Sequence, residues 1–167
     1  MVMGLPRESL YSVLLKPWFE AEIVHRFRRG DFAPPPGVDV VLLRLRKRGP
    51  PLLSQSHRQN FRDFVIYHYT RREECLWESL RDTFSSRQFR HVREGMRIEA
   101  DATPTALAAN QWLDLFGYFQ EVATDEARRL TRGSEERLRR QQAGLRKVHR
   151  TRCQITSHVS GHVQSLR

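Results

Sequence analysis

The chain has 167 residues, a length that suits one domain or a domain with a tail. Its net charge of +10, pI of about 10.7 and mean hydropathy of −0.62 favour a polyanionic partner, and it lacks the run of about 20 apolar residues that a membrane-spanning helix needs. Because no signal peptide is visible, we expect a nuclear or cytoplasmic protein that is not secreted.

The first fifty or so residues predict helix followed by an extended segment. Apolar residues between positions 7 and 29 recur at three- and four-residue steps, and Pro17 stands where a second short helix would begin. The APPPG run at 33–37 predicts a stiff linker. The β-branched and aliphatic residues that follow predict a strand or an extended arm near 38–46, without indicating its pairing partner.

The remaining residues predict helical regions over 56–85, over 104–132 with Thr103 as N-cap, and over 135–158. We therefore predict an all-α fold of four to five helices around one aromatic-rich core, with the extended segment near 38–46 and a basic C-terminal helix. Two parts are expected: a helical core domain over 1–133, with its linker and possible strand at 31–53, and a basic helix and tail over 134–167. The predicted core aromatics are Trp18, Phe27, Phe61, Phe64, Trp112, Phe116 and Phe119.

The positive charge is concentrated in two places. The net charge is +4 over residues 1–53, +1 over 54–103, −1 over 104–133 and +6 over 134–167. Arginine binds phosphate in a bidentate manner, so we predict an accessory protein whose two basic clusters bind nucleic acid, RNA rather than DNA. The candidate contact residues are Arg44, Arg46, Lys47 and Arg48 in the first cluster, and Arg137, Arg139, Arg140, Arg146, Lys147, Arg150 and Arg152 in the second.

Both basic clusters also have other interpretations. Cations on an edge strand deter pairing with foreign strands, and a basic helix can simply be a solvent-exposed face. The alternative function is therefore protein–protein interaction: an assembly adaptor, or a viral accessory or structural protein, whose arginines meet an acidic protein partner. A homo-oligomer is a further option on this interpretation.

No catalytic motif is visible in the sequence. It contains no glycine-rich phosphate-binding loop, no HExxH and no GxSxG, so we predict a protein that is not an enzyme and takes no cofactor. Four tail residues form two i, i+4 pairs that could place metal ligands on one helical face: His149, Cys153, His158 and His162. Their spacing matches no zinc module, so we predict no metal site.

Overall fold

The computed structural model describes residues 8–71, 75–99 and 101–144. Within these ranges helices accompany one antiparallel pair of strands, so the chain is mixed α/β and the prediction of an all-α fold is wrong. The elements are α1 (Leu10–Leu15), β1 (Phe19–Arg26), β2 (Val41–Lys47), α2 (Arg58–Tyr69), α3 (Leu76–Leu80), α4 (Ser86–Met96), α5 (Ala109–Val122), α6 (Asp125–Thr131) and α7 (Ser134–Ala143). None of the described helices is both long and apolar enough to cross a membrane.

The strand β1 occupies the place of the second predicted helix. Phe19, Ala21 and Ile23 are half-buried, whereas Glu20 and Glu22 between them are exposed. This alternation has the two-residue period of a strand with one face turned inward. The helical prediction gave weight to the apolar residues on either side of this stretch and overlooked its alternation.

The strand β2 lies in the predicted extended segment, and β1 is its pairing partner. The two strands are antiparallel, with Glu20 opposite Arg46 and Glu22 opposite Arg44. Opposite charges facing each other across antiparallel strands each contribute about 0.2–1 kcal/mol. They also favour this register, because a one-residue slip would turn every side chain to the other face.

Two of the long predicted helical regions each contain two separate helices. The region 56–85 contains both α2 and α3, and the region 104–132 contains α5 and α6. Thr103 and Pro104 begin a short 3₁₀ turn, and α5 starts only at Ala109. Thr124 begins α6, since its hydroxyl accepts a hydrogen bond from the Ala127 N–H at 3.2 Å. The apolar period continues across these breaks because the helices on both sides pack on one core.

The helix α2 lies at the centre of that core. The ring of Phe64 has its centre 4.7 Å from that of Phe119, 5.6 Å from that of Phe116 and 6.3 Å from that of Trp112. Such edge-on and tilted ring pairs stabilise a core beyond the area they bury. The predicted core aromatics that are buried are Trp18, Phe61, Phe64, Trp112, Phe116 and Phe119, whereas Phe27 is half-buried.

A buried histidine joins α2 to α3. The Nδ1 atom of His68 lies 2.7 Å from the carbonyl oxygen of Ser79, and its Nε2 atom lies 3.2 Å from the hydroxyl of Thr83. Burial lowers the pKa of His68 to about 3, against the opposing effect of the Ser79 carbonyl. Because a carbonyl oxygen can only accept, Nδ1–H of the neutral ring donates to Ser79, and Nε2 is the unprotonated nitrogen that faces the Thr83 hydroxyl.

The helix α7 is anchored to α2 at its N-terminus. The carboxylate of Asp63 accepts hydrogen bonds from the backbone N–H groups of Gly133 and Glu135, both at 2.9 Å. Asp63 thus supplies the capping group that a glycine at the N-cap cannot. The predicted division of the chain at 133/134 falls at this anchor and stays a prediction, because residues 145–167 lie outside the described ranges.

Candidate nucleic-acid interface

The first predicted basic cluster lies on β2 and directly after it. Arg44 Nη1 lies 3.3 Å from Glu22 Oε2, and Arg48 Nη1 lies 3.6 Å from Glu20 Oε1. The other two cations of the cluster are exposed and have no ion pair among the described residues. The carboxylates of β1 therefore neutralise part of the charge that the sequence assigns to this cluster.

The hairpin formed by β1 and β2 also presents an open apolar surface. Leu43 and Leu45 are each 48% exposed. A groove of about 920 Å³ lies between the hairpin and α1, with Tyr11 and Leu15 on its helical side and Ile23 on its strand side. Neighbouring half-exposed leucines are typical of a surface that contacts other parts of a protein or a partner.

The described part of the second basic cluster is engaged within the fold. Arg139 Nη2 lies 2.8 Å from Glu135 Oε1, and Arg140 Nε lies 3.0 Å from Glu136 Oε1, both one helical turn apart. The Arg137 guanidinium donates hydrogen bonds to the carbonyl oxygens of Leu130 and Arg132 at the C-terminus of α6. It also donates to the hydroxyl of Ser134. These three arginines therefore stabilise the region where α6 meets α7.

Glu135 is the electrostatic centre of this region. Arg62 donates to both of its carboxylate oxygens, from Nε at 2.8 Å and from Nη2 at 2.7 Å, and Gln59 donates at 3.1 Å. The hydrogen bonds from Arg62 lower the pKa of Glu135 to about 2, although burial opposes this shift. The same contact raises the pKa of Arg62. A paired, largely buried carboxylate of this kind holds two helices together.

The remaining predicted site residues lie outside the described ranges. They are the basic residues Arg146, Lys147, Arg150 and Arg152, and the four metal candidates His149, Cys153, His158 and His162. Their assignments therefore stay predictions.

A further basic surface, which the sequence analysis missed, lies on α4. The helix begins with a reciprocal cap: Ser85 Oγ accepts from the Gln88 N–H at 3.3 Å, and Gln88 Oε1 accepts from the Ser85 N–H at 2.8 Å. The helix and its C-cap carry four arginines: Arg87, Arg90, Arg93 and Arg97. None of the four has an ion pair within the described part of the chain. The sequence did contain a signal for this surface, because arginine recurs at every third residue from Arg87 to Arg93.

The chain resembles proteins that act on ribosomal RNA. It matches the family model described as ribosomal RNA adenine dimethylase over residues 3–121. It is 31% identical to an rRNA adenine N-6-methyltransferase of Bacillus licheniformis over 109 residues, which are 65% of this chain and 38% of that protein. It is 30% identical to the mycinamicin-resistance protein MyrB of Micromonospora griseorubida over 124 residues, which are 74% of this chain and 40% of that protein. The crystal structure of the 23S rRNA methyltransferase ErmE matches with a TM-score of 0.58 and 28% identity, over 69% of this chain and 47% of that one.

The match covers only 38% and 40% of the length of these two relatives. Methyl transfer needs a methyl donor, and nucleotide-containing cofactors bind where a parallel strand turns into a helix through closely spaced glycines. The described strands are antiparallel, and the described glycines are scattered: Gly30, Gly37, Gly49, Gly95, Gly117, Gly133 and Gly144. The described residues therefore do not fit such a donor.

These comparisons correct the functional predictions. The prediction that the chain is not an enzyme is wrong, because the family and the Bacillus licheniformis relative that it matches are named as methylating enzymes. The expectation of an RNA partner agrees with those names, whereas no comparison supports an accessory, viral or adaptor protein. Since the family model matches more than half of its residues, the chain belongs to the ribosomal RNA adenine dimethylase family.

Proposed function

We propose that this chain works in the N6-methylation of adenine in ribosomal RNA, and that its described residues serve the RNA-binding part of that task. The family match carries the proposal, because it runs from residue 3 to residue 121 and so includes the fold from α1 into the last turn of α5. Because the RNA would be ribosomal, the proposed compartment is the one that holds the ribosomes. Of the nucleus and the cytoplasm, both expected from the sequence, we therefore propose the cytoplasm.

The charge of the chain supports an RNA partner. The sequence has 29 Lys and Arg against 19 Asp and Glu. Cations that neutralise phosphates release counterions, so binding of this kind is strong at low salt and weakens as salt is added.

The two basic clusters found in the sequence stay proposed RNA contacts. Those of their members that pair with a carboxylate would have to exchange it for a phosphate: Arg44, Arg48, Arg139 and Arg140. An exposed ion pair of this type contributes about 0–1 kcal/mol to stability, so exchanging its carboxylate for a phosphate costs little. Each such contact still adds less to the free energy of RNA binding than a contact from an unpaired arginine would.

Binding and methyl transfer can be measured separately on the full chain. Filter binding to deproteinised 23S ribosomal RNA between 50 and 200 mM salt measures the first. Incubation of the same RNA with S-adenosylmethionine, a cofactor of methyl-transfer chemistry, followed by nucleoside mass spectrometry for N6-methyladenine, measures the second. The Bacillus licheniformis relative serves as the positive control in both assays.

We expect the chain to bind 23S ribosomal RNA, with an affinity that falls about 100-fold over this salt range if about four phosphates are contacted. Formation of N6-methyladenine would extend the role of the chain from RNA binding to the transfer step. An absence of RNA binding, under conditions in which the relative binds, would contradict the proposal.

A further inference from the structure

We infer that the arginine face of α4, formed by Arg87, Arg90 and Arg93 on the helix and Arg97 at its C-cap, binds the phosphate backbone of ribosomal RNA. The inference rests on the proposed function and adds the surface through which the RNA is held. Over residues 86–97 these four arginines are opposed by a single glutamate, Glu94, which leaves a net charge of +3 on about three helical turns.

The arginine face is not used inside the fold. Arg87, Arg90 and Arg97 are exposed and Arg93 is half-buried. No carboxylate lies within ion-pair distance of any of them in the described part of the chain, unlike the paired arginines of the hairpin and α7. An unpaired guanidinium can form bidentate hydrogen bonds with a phosphate without first giving up another partner.

Helical geometry places these side chains together. At 3.6 residues a turn and a rise of 1.5 Å a residue, Arg87, Arg90 and Arg93 cover an arc of about 120° and a length of about 9 Å. On the opposite side, Val92 is buried and Phe89 packs on the core and against the ring of Trp77 at 4.9 Å. The helix is thus held by its apolar side and presents an extended row of cations, which suits a chain of phosphates better than a single small anion.

Three carboxylates of the region 54–103 that lie outside α4 already accept hydrogen bonds within the fold. Asp63 caps α7, and Glu78 accepts the Cys75 N–H at 3.3 Å at the start of α3. Asp82 accepts a hydrogen bond from Arg71 at 2.7 Å. The region 54–103 is therefore nearly neutral in total charge while one of its helices is strongly basic.

The backbone at Arg97 is an independent indication of a role outside the fold. Its φ of 51° and ψ of 48° lie in the left-handed region, and its N–H donates to the last turn of α4. Glycine is the usual residue at such a C-cap, because a Cβ atom is strained in this conformation. The Arg97 side chain makes no hydrogen bond or ion pair within the described residues, so no such contact there offsets the strain.

Charge removal on the full chain tests the inference. The test variant is R87Q/R90Q/R93Q, and the matched control is R26Q/R28Q/R29Q, which removes three exposed arginines that also lack ion pairs among the described residues. Dissociation constants for deproteinised 23S ribosomal RNA are measured by filter binding from 50 to 200 mM salt. Circular dichroism melts confirm that each variant folds.

We expect the α4 variant to bind at least about tenfold more weakly at 100 mM salt and to lower the slope of log affinity against log salt by about 2–3. The control should weaken binding by less than about threefold.

Arg97→Gly gives a second readout that loss of folding cannot imitate, because it should raise the melting temperature while weakening RNA binding. Arg97→Lys, which keeps the charge, should bind more tightly than Arg97→Gly.

Wild-type affinity in the α4 variant, or an equal loss in the matched control, would overturn the inference and leave the proposed function standing. A rise in melting temperature for Arg97→Gly with unchanged RNA affinity would likewise overturn the role of that residue. If the wild-type chain itself does not bind 23S ribosomal RNA, both the inference and the proposed function fail.

Discussion

At the scale of single residues, two buried ionisable side chains hold the helices in place, one neutral and one charged. His68 bridges α2 and α3 as a neutral ring, and Glu135 bridges α2 and α7 as an anion paired with Arg62. The sequence places His68 on an apolar helical face and Glu135 in the first turn of a helix. It does not reveal that Arg62, 73 residues away, pairs with Glu135, because such contacts arise only when the chain folds.

The buried His68 makes the stability of the fold depend on pH. Its pKa is lowered from 6.5 to about 3, so the folded protein keeps the ring neutral while the unfolded chain takes up a proton below pH 6.5. The stabilisation is complete above pH 6.5 and is lost as the pH falls. Between pH 7 and pH 5 we expect the free energy of unfolding to drop by about 2 kcal/mol from this group, as measured by urea denaturation.

Two variants isolate the contribution of His68. His68→Gln should flatten the pH dependence between pH 7 and 5, whereas His57→Gln, at an exposed position, should leave it unchanged. An unaltered slope in His68→Gln would show that another group is responsible.

Glu135 acts in a lower pH range. Its pKa is lowered from 4.5 to about 2, so its stabilisation is present above pH 4.5 and is lost as the pH falls towards 2. Glu135→Gln should cost about 2 kcal/mol at pH 7, because it weakens charge-assisted hydrogen bonds at a mostly buried site. The cost should shrink by pH 3, which urea denaturation at both pH values can measure.

The matched control for Glu135 is its neighbour Glu136, whose side chain is 56% exposed and pairs with Arg140. Glu136→Gln should change the free energy of unfolding by less than about 0.5 kcal/mol. Equal costs for the two variants would mean that the pair between Glu135 and Arg62 does not hold α7 in place.

At the scale of elements, the apolar period locates the core helices but not their ends or the hairpin. The period in 56–85 and 104–132 identifies residues that are buried, yet the breaks depend on local groups such as the Thr124 hydroxyl. The β1 strand was missed because its alternating stretch is short and lies beside apolar residues with helical spacing. The basic face of α4 was missed because the sequence analysis used the total charge of the region 54–103, to which carboxylates outside α4 such as Asp63 and Asp82 contribute.

The hairpin should contribute little to the stability of the described core. Leu45 is 48% exposed, whereas Leu115 of α5 is fully buried. We therefore expect Leu45→Ala to cost less than about 1 kcal/mol in urea denaturation and Leu115→Ala about 2–5 kcal/mol, since a cavity forms only at the buried position. A cost for Leu45→Ala as large as that for Leu115→Ala would show that the open face of the hairpin is covered in the folded protein.

At the scale of the whole molecule, the positive charge that is open to a partner is the part that ion pairs within the fold do not neutralise. The expectation of a polyanionic partner follows from composition alone and agrees with a family that acts on ribosomal RNA. Membership of an enzyme family could not be predicted from a glycine-rich loop, HExxH or GxSxG, because the sequence contains none of these three and the family is recognised by similarity over residues 3–121. The location of the interface needed the structure, since only the structure shows which arginines pair within the fold and which unpaired arginines lie together on one helix face.

Ultraviolet crosslinking of the full chain to deproteinised 23S ribosomal RNA, followed by mass spectrometry of the crosslinked peptides, tests the proposed interface most directly. We expect crosslinks in the peptides that contain α4 and its C-cap, residues 85–97, and we expect them to disappear in R87Q/R90Q/R93Q. Crosslinks that lie only outside α4, or that persist unchanged in this variant, would contradict RNA binding by the arginine face of α4.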